Sequence, residues 1–560
     1  MKLKTFFDNF GLMADAPNGV QKLREMVLQL AVQGKLVPQD PKDEPVSVLL
    51  EKIKAERERL IKEGKIKKYK PLPQIKSGEI HYDLPDSWEW VRLGDVANYG
   101  EGGKVSSNDI PEDAWLLDLA DIEKDTSRIV QRVKFKDRIS KSTKAEFQKG
   151  DVLYGKLRPY LNKVVVADDN GFCTTEIIPI RGYSGVFPKY LMYSLRSPRF
   201  LDYVDSKTYG TKMPRLGTED ANNSLFPLPP TNEQKRIVAK VDELMALCDE
   251  LEARKQQVSI NCIQLNEASA HKLLTAREPK KFSNHWQRIC DNFDLLYSKP
   301  ENVNKLRQAI LQLAVQGKLV PQDPKEEPAS VMLENIKAEK EIKKGKPLSP
   351  IDPDEIPHIL PDSWEWVRVE DITDARHPIS YGVLKPGEHD PNGIPLVKSQ
   401  HINKLQIIGS IDFKITPELD AKYKRTKIKG GELLLNLVGA SIGRCAIAPE
   451  WLKKANVSRA VAVITLVQNL NRRFFLYVLT NFFSLENISK LSSGSAQPVL
   501  NLSRIKHLIL PLPPVSEQKR IVAKVDELMA LCDELETNVS QSQTDCDKLM
   551  EAVAAEILAA

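Results

Sequence analysis

An unbroken internal repeat constrains this chain more than any other feature of its sequence. The twenty residues EQKRIVAKVDELMALCDELE occupy positions 233–252 and return unchanged at 517–536. A second repeat joins residues 22–56 to residues 305–339, with 28 of 35 positions identical, and the motif LPDSWEWVR also occurs twice. Because 560 residues exceed what one hydrophobic core usually holds, these repeats predict a chain built from two similar halves.

Each half consists of the same three parts in the same order. We predict a helical segment at 1–83, a variable block at 84–230, a long helix at 231–275, a central helical segment at 276–359, a second variable block at 360–514 and a second long helix at 515–560. Within the blocks, short β-branched runs between Gly, Pro and Asn predict strands, while residues 184–200 and 471–483 predict helices. The predicted fold class is therefore mixed α/β, with two globular domains in a pseudo-two-fold tandem repeat.

Apolar and small residues follow an alternating spacing of four and three along both long helices, which is typical of a coiled-coil seam. The predicted seam positions are Ile237, Val241, Leu244, Cys248, Leu251, Val258, Cys262 and Leu265, then Ile521, Val525, Leu528, Cys532, Leu535, Val539, Ser542, Cys546, Leu549 and Val553. Lys255 interrupts the first seam. Seen alone, such a helix fits an ordinary bundle core, but the duplication favours antiparallel pairing of the two copies as a spacer of roughly 60 Å, with one block at each end.

The sequence contains no common motif for phosphate binding, adenine methylation or metal binding. Gly34-Lys35 and Gly317-Lys318 are followed by Leu, so no phosphate-binding loop is present. Both Pro-Pro pairs follow Leu, which excludes the Asn/Asp-Pro-Pro-Tyr/Phe tetrapeptide of amino-methyltransferases, and the eight histidines show no metal-binding spacing. We expect no catalytic residue, no metal site and no cofactor on this chain.

Cysteine usage and the N-terminal sequence bear on location. Seven cysteines without a Cys-x-x-Cys pair argue against a disulfide framework and a zinc ribbon. The N-terminal residues lack the apolar core of a signal peptide, and no apolar run reaches the length of a membrane span. These features predict a cytoplasmic location without a membrane partner.

Basic residues cluster within the two variable blocks although the net charge is only +5. Residues 128–163 contain eleven Lys or Arg and three acids, and residues 398–429 contain eight and three. Tyr, Phe, Asn, Gln and Ser are interleaved with them, as on surfaces that contact phosphates and base edges. A single basic run more often forms a solvated face, but two runs in comparable places favour a nucleic-acid surface.

These elements together resemble a known protein family. The stretches GDVLYGKLRPYLNK (150–163) and GGELLLNLVGASIGR (430–444), the elements GTKMPRL (210–216) and GSAQPVLNL (494–502), and the Pro-Pro-x-x-EQKRIV helix starts resemble specificity subunits of type I restriction-modification systems. The repeated AVQGKLVPQDP resembles the branch with an extended N-terminal segment. The resemblance covers nearly the whole chain from Val20 onward.

The resemblance implies a non-catalytic subunit that reads double-stranded DNA. Each variable block would be a target recognition domain for one half of a bipartite, asymmetric site. Two methyltransferase subunits would dock on the helical parts and methylate adenine with S-adenosylmethionine, and motor-nuclease subunits using ATP and Mg²⁺ would cleave unmodified DNA. Two identical partners need two equivalent surfaces, which would explain the repeat.

The family pattern also suggests which side chains face DNA. It points to Lys104, Ser106, Tyr154, Lys156, Arg158, Tyr160, Lys163, Lys212 and Arg215 in the first block, and to Tyr381, Lys398, Gln400, His401, Asn436, Ser441, Arg444 and Gln497 in the second. The first block departs from the usual Gly-rich turn at 157–159, so its loop would differ in shape. Trp88, Trp90, Trp364 and Trp366 are expected in the core.

Two other functions remain open from the residues alone. One is a self-contained methyltransferase or nuclease with unrecognised motifs, which would act on DNA without partners. The other is a scaffold whose blocks bind protein, and such a scaffold would lack salt-dependent DNA binding.

Overall fold

A computed structural model describes residues 3–66, 71–100, 103–138, 142–209, 213–342, 350–403, 405–482 and 499–559. The chain divides into two compact units, the first formed by Met1–Ser259 and Ser542–Ala560 and the second by Ile260–Gln541. Each unit contains one mixed helix-and-sheet domain, which we call a head. Both long helices therefore change from one unit to the other partway along their length.

The first unit contains helices at Leu3–Asp8, Phe10–Ala14, Gly19–Val32, Val46–Lys62, Leu93–Val96, Pro188–Arg196, Pro198–Lys207 and Thr218–Asn223, and the start of the long helix Thr231–Thr275. Its strands are β1 Glu89–Arg92, β2 Ala97–Tyr99, β3 Lys104–Val105, β4 Trp115–Leu117, β5 Val133–Lys134, β6 Lys144–Phe147, β7 Val152–Gly155, β8 Val164–Val166, β9 Gly171–Cys173, β10 Ile177–Gly182 and β11 Leu225–Leu228. They form sheets in the orders β1-β11, β2-β10-β7-β8 and β3-β6-β9-β4-β5.

The second unit contains helices at Pro279–Asp291, Phe293–Leu296, Pro300–Val315, Ala329–Ile342, Pro417–Lys422, Arg472–Phe482 and Leu502–His507, and most of the long helix Val515–Ala559. Its strands are β12 Glu365–Arg368, β13 Ser380–Tyr381, β14 Ile394–Val397, β15 Ile402–Asn403, β16 Gln406–Ile407, β17 Lys414–Ile415, β18 Leu433–Asn436, β19 Cys445–Ile447, β20 Asn456–Val457, β21 Val461–Ile464 and β22 Ile509–Leu512.

The two heads share their strand pairing despite their different sequences. The sheet β13-β21-β18-β19 of the second head has the order of β2-β10-β7-β8 in the first, and β12-β22 corresponds to β1-β11. Each head also has one parallel pair, β4 with β9 and β14 with β20. Because β7 and β18 lie inside four-stranded sheets, every residue of both strands is buried.

The helix predicted at 184–200 is two helices instead of one. The chain is extended at Ser197, whose side chain accepts a hydrogen bond from the backbone N–H of Phe200 and so caps the second helix. The reason is Pro198, since proline disfavours helical backbone in the residue before it and suits the first position of a new helix.

Polar contacts to a buried glutamate hold the start of each long helix in the same way in both units. Gln39 Nε2 lies 2.8 Å from Glu233 Oε1, and Gln322 Nε2 lies 2.6 Å from Glu517 Oε1. Burial raises the pKa of both glutamates. A second duplicated contact joins Arg24 to Asp249 and Glu252, and Arg307 to Asp533 and Glu536. The repeated sequences therefore make repeated contacts.

In the first half of each long helix the predicted seam positions are buried or half-buried, and Cys248 and Cys532 are buried. Farther along, Cys262 is buried as predicted, but five predicted positions are exposed: Val258, Leu265, Ser542, Cys546 and Leu549. The buried positions there include Asn266, Met550 and Ile557. Asn266 and Met550 each lie one residue after an exposed predicted position, Leu265 and Leu549. A straight α-helix has 3.6 residues per turn, so a 3.5-residue stripe drifts by about 20° per heptad.

Lys255 interrupts the seam because it has a specific partner. Its Nζ donates to the carbonyl oxygens of Ala14 and Asp15, at 3.1 Å each, and also to that of Ala16. These carbonyls follow the helix Phe10–Ala14, and an ammonium group is favourable at the negative end of a helix. The lysine therefore attaches the N-terminal segment to the first long helix.

Trp88 and Trp364 lie in the core, as expected, and are 5% and 4% exposed. Trp90 and Trp366 are half-buried instead of fully buried, and they pack against Tyr82 at a tilted angle and against His358 edge-to-face, with ring centroids 5.0 Å apart in both cases. Within the described ranges, no helix combines the length and the apolar character needed to span a membrane.

Candidate nucleic-acid interface

Three segments of the first head meet beside the end of β7. They are the tight turn Leu119–Asp121, the loop 156–163 after β7 and the segment 213–216. Lys163 Nζ lies 2.7 Å from the carbonyl oxygen of Leu119, which joins the loop to the turn. The backbone N–H of Arg158 donates to the carbonyl of Pro214 at 2.8 Å, which joins the loop to the third segment.

The corresponding three segments of the second head also meet. The turn Ser399–His401 is held by Asn436 Nδ2, which lies 2.9 Å from the carbonyl oxygen of Ser399. The loop 437–444 pairs with the segment 499–500 through the backbone N–H of Leu500 and the carbonyl of Leu437, at 2.9 Å. We call these two sets of segments the convergent surfaces of the heads.

Several predicted DNA contacts lie on these surfaces with accessible side chains. Arg158 and Tyr160 are exposed in the first head and Lys156 is half-buried beside them, while Gln400 and Arg444 are exposed in the second. Arg158 has a φ of +50°, a left-handed conformation that is unusual for a residue other than glycine. The sequence predicted that the loop at 157–159 differs in shape from the usual Gly-rich turn, and the left-handed backbone of Arg158 lies within that loop.

Other residues predicted to contact DNA lie away from the convergent surfaces, or their side chains are half-buried or contact another residue of the head. Lys104 and Ser106 are exposed at the edge strand β3 of the five-stranded sheet, and Tyr381 is exposed on β13. Lys398 Nζ lies 3.7 Å from the centre of the Phe413 ring. Ser441 is half-buried on the loop of the second surface. Lys212 and Gln497 lie outside the described residues.

Three predicted contacts of the first head make specific contacts within the protein. Tyr154 is 2% exposed and packs edge-to-face on Phe200, and burial raises the pKa of its hydroxyl well above the ordinary value. Lys163 directs its ammonium group to the turn carbonyl. Arg215 makes two hydrogen bonds to Glu176, at 3.2 and 3.0 Å, which raise the pKa of its guanidinium. Tyr154 was mispredicted because β7 is covered on both faces.

Two predicted contacts of the second head are also buried. Asn436 is fully buried and supports the turn, so it cannot contact a base directly. His401 is 7% exposed, and its Nδ1 accepts a hydrogen bond of 3.0 Å from the backbone N–H of Lys398. Burial and the charge of Lys398 lower the pKa of His401. The imidazole therefore closes the turn as a neutral acceptor.

The basic stretch 128–163 does not form one continuous basic surface. Its cations pair with acids from several parts of the unit: Arg128 with Asp249, Arg132 with Asp168, Lys134 and Lys136 with Asp113, and Arg138 with Asp121. Lys144 is buried. A run of charges in sequence therefore overstated the local positive charge, because the folded chain brings acids to it from a distance.

The second basic stretch contributes to a cleft in the second head. Lys422, Lys424 and Arg425 line this cleft of about 1050 Å³ together with Tyr381. Lys506 and His507 line it too, and they were not among the residues predicted to contact DNA. Their signal was present in the basic end of the helix Leu502–His507, immediately after the Gly-x-x-x-Pro element.

The turn of the first head contains a buried carboxylate whose ionisation stabilises the fold. Burial by itself raises the pKa of Asp121, but hydrogen bonds from Arg138, the Asp118 amide and Gln131 outweigh it, and the net pKa lies below the ordinary value. Arg138 contacts both carboxylate oxygens, at 2.5 and 2.8 Å. A lowered folded-state pKa stabilises the protein above the unfolded value near ~3.9, and the contribution is lost as pH falls through the folded value.

We expect Asp121→Asn to lower the stability of the first unit by roughly 2 kcal/mol at pH 7, because Arg138 loses a charged acceptor. The difference from the unsubstituted protein should shrink as the pH falls below about 4, because Asp121 is protonated in the unfolded state before it is protonated in the folded state. Calorimetric unfolding at pH values from 7 to 3 measures this. A difference that stays constant with pH would show that Asp121 acts only through its shape.

Two heads with shared strand pairing and unlike surface side chains define a tandem-repeat protein that presents two different surfaces. Over the described part of the chain, no group of His, Cys, Asp and Glu side chains is arranged to hold a metal ion. The family model described as "Type I restriction modification DNA specificity domain" matches residues 85–261 and 361–542.

Known proteins similar to this chain cover almost all of it. It is 33% identical over 543 residues to the type I restriction enzyme EcoAI specificity subunit of Escherichia coli, spanning 92% of this chain and 90% of the relative. It is 30% identical over 553 residues to the EcoEI specificity subunit of the same species, spanning 94% and 91%. The chain therefore belongs to the specificity subunits of type I restriction-modification systems, which are non-catalytic components.

A solved structure supports the fold. Its study is described as "Structural basis underlying complex assembly and conformational transition of the type I R-M system". The superposition has a TM-score of 0.50 at 20% identity and covers 85% of this chain and 99% of the solved one.

Proposed function

We propose that this chain reads a bipartite, asymmetric DNA site, with one head for each half. The observation that carries the proposal is that both heads bring the same three segments together and expose different side chains on them. The first surface presents Arg158 and Tyr160, and the second presents Gln400 and Arg444. Guanidinium and amide groups are the side chains that pair with guanine and adenine in the major groove.

The long helices would set the distance between the two half-sites. Each has 45 residues, which corresponds to roughly 68 Å. In the first unit, Met550 and Ile557 from the end of the second helix share a core with Ile237 from the start of the first. In the second unit, Leu535 packs against the cluster that contains Leu273. Both contacts support an antiparallel pair.

The repeated helices would also bind two identical methyltransferase subunits. Leu247 and Leu531 occupy the same position of the repeated twenty residues and are 38% and 53% exposed. An apolar side chain exposed at the same place in both copies fits two equivalent protein contacts. In this proposal the partners methylate adenine with S-adenosylmethionine, motor-nuclease subunits with ATP and Mg²⁺ cleave unmodified DNA, and the complex acts in the cytoplasm.

Reconstitution with the methyltransferase subunit of the same system tests this function. The complex should transfer methyl groups to adenine in a duplex containing the site, and neither component alone should do so. Its affinity for the duplex should fall steeply with salt concentration, because binding to phosphates releases counterions. Methylation by this chain alone would establish an enzyme instead. Failure of the complex to bind the duplex at any salt concentration would establish a protein scaffold.

Arg158→Ala is expected to relax the preference for one base in one half-site. Its guanidinium is exposed on the first convergent surface, and a bidentate contact to guanine contributes about 1–3 kcal/mol of discrimination. Competition binding with duplexes substituted at each position measures this. Weaker binding by the same factor for every duplex would mean that Arg158 contacts only phosphate.

A further inference from the structure

In both heads a side chain donates a hydrogen bond to the carbonyl oxygen of the first turn residue, Leu119 or Ser399. The two side chains come from different positions in the fold. β7 and β18 occupy the same position in their sheets. The backbone N–H of the last strand residue donates to Lys163 O at 3.0 Å in the first head and to Arg444 O at 2.9 Å in the second. By this correspondence Asn436 matches Gly155, whereas Lys163 matches Arg444. The turn is nevertheless held in both heads, by Lys163 in one and Asn436 in the other.

Each turn is also closed internally by different chemistry. In the first head, the backbone N–H of Asp118 donates to Asp121 Oδ2 at 2.8 Å. In the second, the backbone N–H of Lys398 donates to His401 Nδ1 at 3.0 Å. Two unlike sets of side chains thus produce one backbone shape. Such agreement between diverged sequences indicates that the position of the turn itself is needed.

Only the middle residue of each turn is exposed. Asp121 and His401 are buried, and Leu119 and Ser399 are half-buried. The middle residue is Ala120 in the first head and Gln400 in the second, and both are exposed. Each turn therefore presents one variable side chain on a backbone fixed at both ends, next to the loop that contains Arg158 or Arg444.

We propose that Ala120 and Gln400 are matched base-reading positions, one in each half-site, and that Lys163 and Asn436 are the residues that position them. This inference rests on the proposed function. The amide of Gln400 has the donor and acceptor that pair with N7 and N6 of adenine. The methyl group of Ala120 suits an apolar contact with the C5 methyl group of thymine. Ala120 carries no polar group, so sequence patterns for DNA contacts pass over it.

Methylome mapping in cells that express the whole complex tests the reading positions. Gln400→Ala should relax one position of the second half-site by roughly 5- to 150-fold and leave the first half-site unchanged. Ala120→Gln should shift one position of the first half-site from thymine toward adenine. Gln468→Ala is the matched control, because Gln468 is an exposed glutamine in the second head outside the three segments. It should leave the motif unchanged.

The positioning role is tested with Lys163→Met, which keeps the aliphatic stem and removes the ammonium group. It should relax the same position that Ala120→Gln alters, and Lys163→Arg should restore the preference. A purely structural role would lower methylation at an unchanged motif in all these variants, and that result would overturn the inference. If the unsubstituted complex already methylates an unbroken motif, the proposed function itself fails. A bipartite motif that Gln400→Ala leaves intact refutes only the reading position.

Discussion

Four residues inserted after Ser259 should lengthen the gap between the two recognised half-sites by about two base pairs and leave both half-sequences unchanged. The insertion point lies within the helix Thr231–Thr275, at the boundary between the two units. Four residues add roughly 6 Å to a helix, close to two base-pair steps of about 3.4 Å. They also make slightly more than one turn, so the buried face of the helix stays nearly in register.

A matched insertion separates the length of the helix from the length of the chain. The same four residues placed after Gly387, an exposed turn glycine with a φ of +72°, should leave the gap unchanged. Methylome mapping of both variants gives the gap directly. An unchanged gap after the helix insertion would contradict the spacer role of the long helices.

Replacing residues 360–514 with a copy of residues 84–230 should abolish methylation at the original site and create methylation at an inverted repeat of the first half-site. The replacement has compatible ends because both heads begin with LPDSWEWVR and precede the same twenty-residue helix. An antiparallel helix pair relates its two ends by two-fold symmetry, so two identical heads would read a palindrome.

The reciprocal chain, with residues 360–514 in both places, provides the control and should methylate an inverted repeat of the second half-site. Sequencing-based maps of methylated adenine distinguish the two products. A direct repeat of one half-site would show that the heads have the same orientation along DNA, which contradicts antiparallel pairing. Methylation that persists at the original site would show that the second head contributes no sequence information.

The sequence predicted the family and the helix–sheet character of the heads because those features have local or repeated signals. Residues 233–252 could be read as a helix from their periodicity, and their recurrence indicated two related halves. Strands such as β7 and β21 follow from β-branched and apolar runs. None of these conclusions requires knowing which parts of the chain meet in space.

The surface of each head was predicted less well because exposure depends on distant neighbours. Tyr154 and Asn436 lie in motifs typical of DNA contacts, but central strands bury them. Arg128 and Arg138 belong to the basic stretch that favoured a nucleic-acid surface, but the fold pairs them with Asp249 and Asp121. Ala120 is the opposite case: it is exposed on the first convergent surface, but no chemical property of alanine marks it as a DNA contact in a sequence.

A genome-wide map of methylated adenine, in cells that express this chain with the methyltransferase of its own system, tests directly whether two heads read one site. If they do, the map contains one bipartite motif with two different half-sequences and a fixed gap of unspecified bases. A single unbroken motif, or two half-sequences methylated independently of their separation, would contradict the reading of one site by two heads.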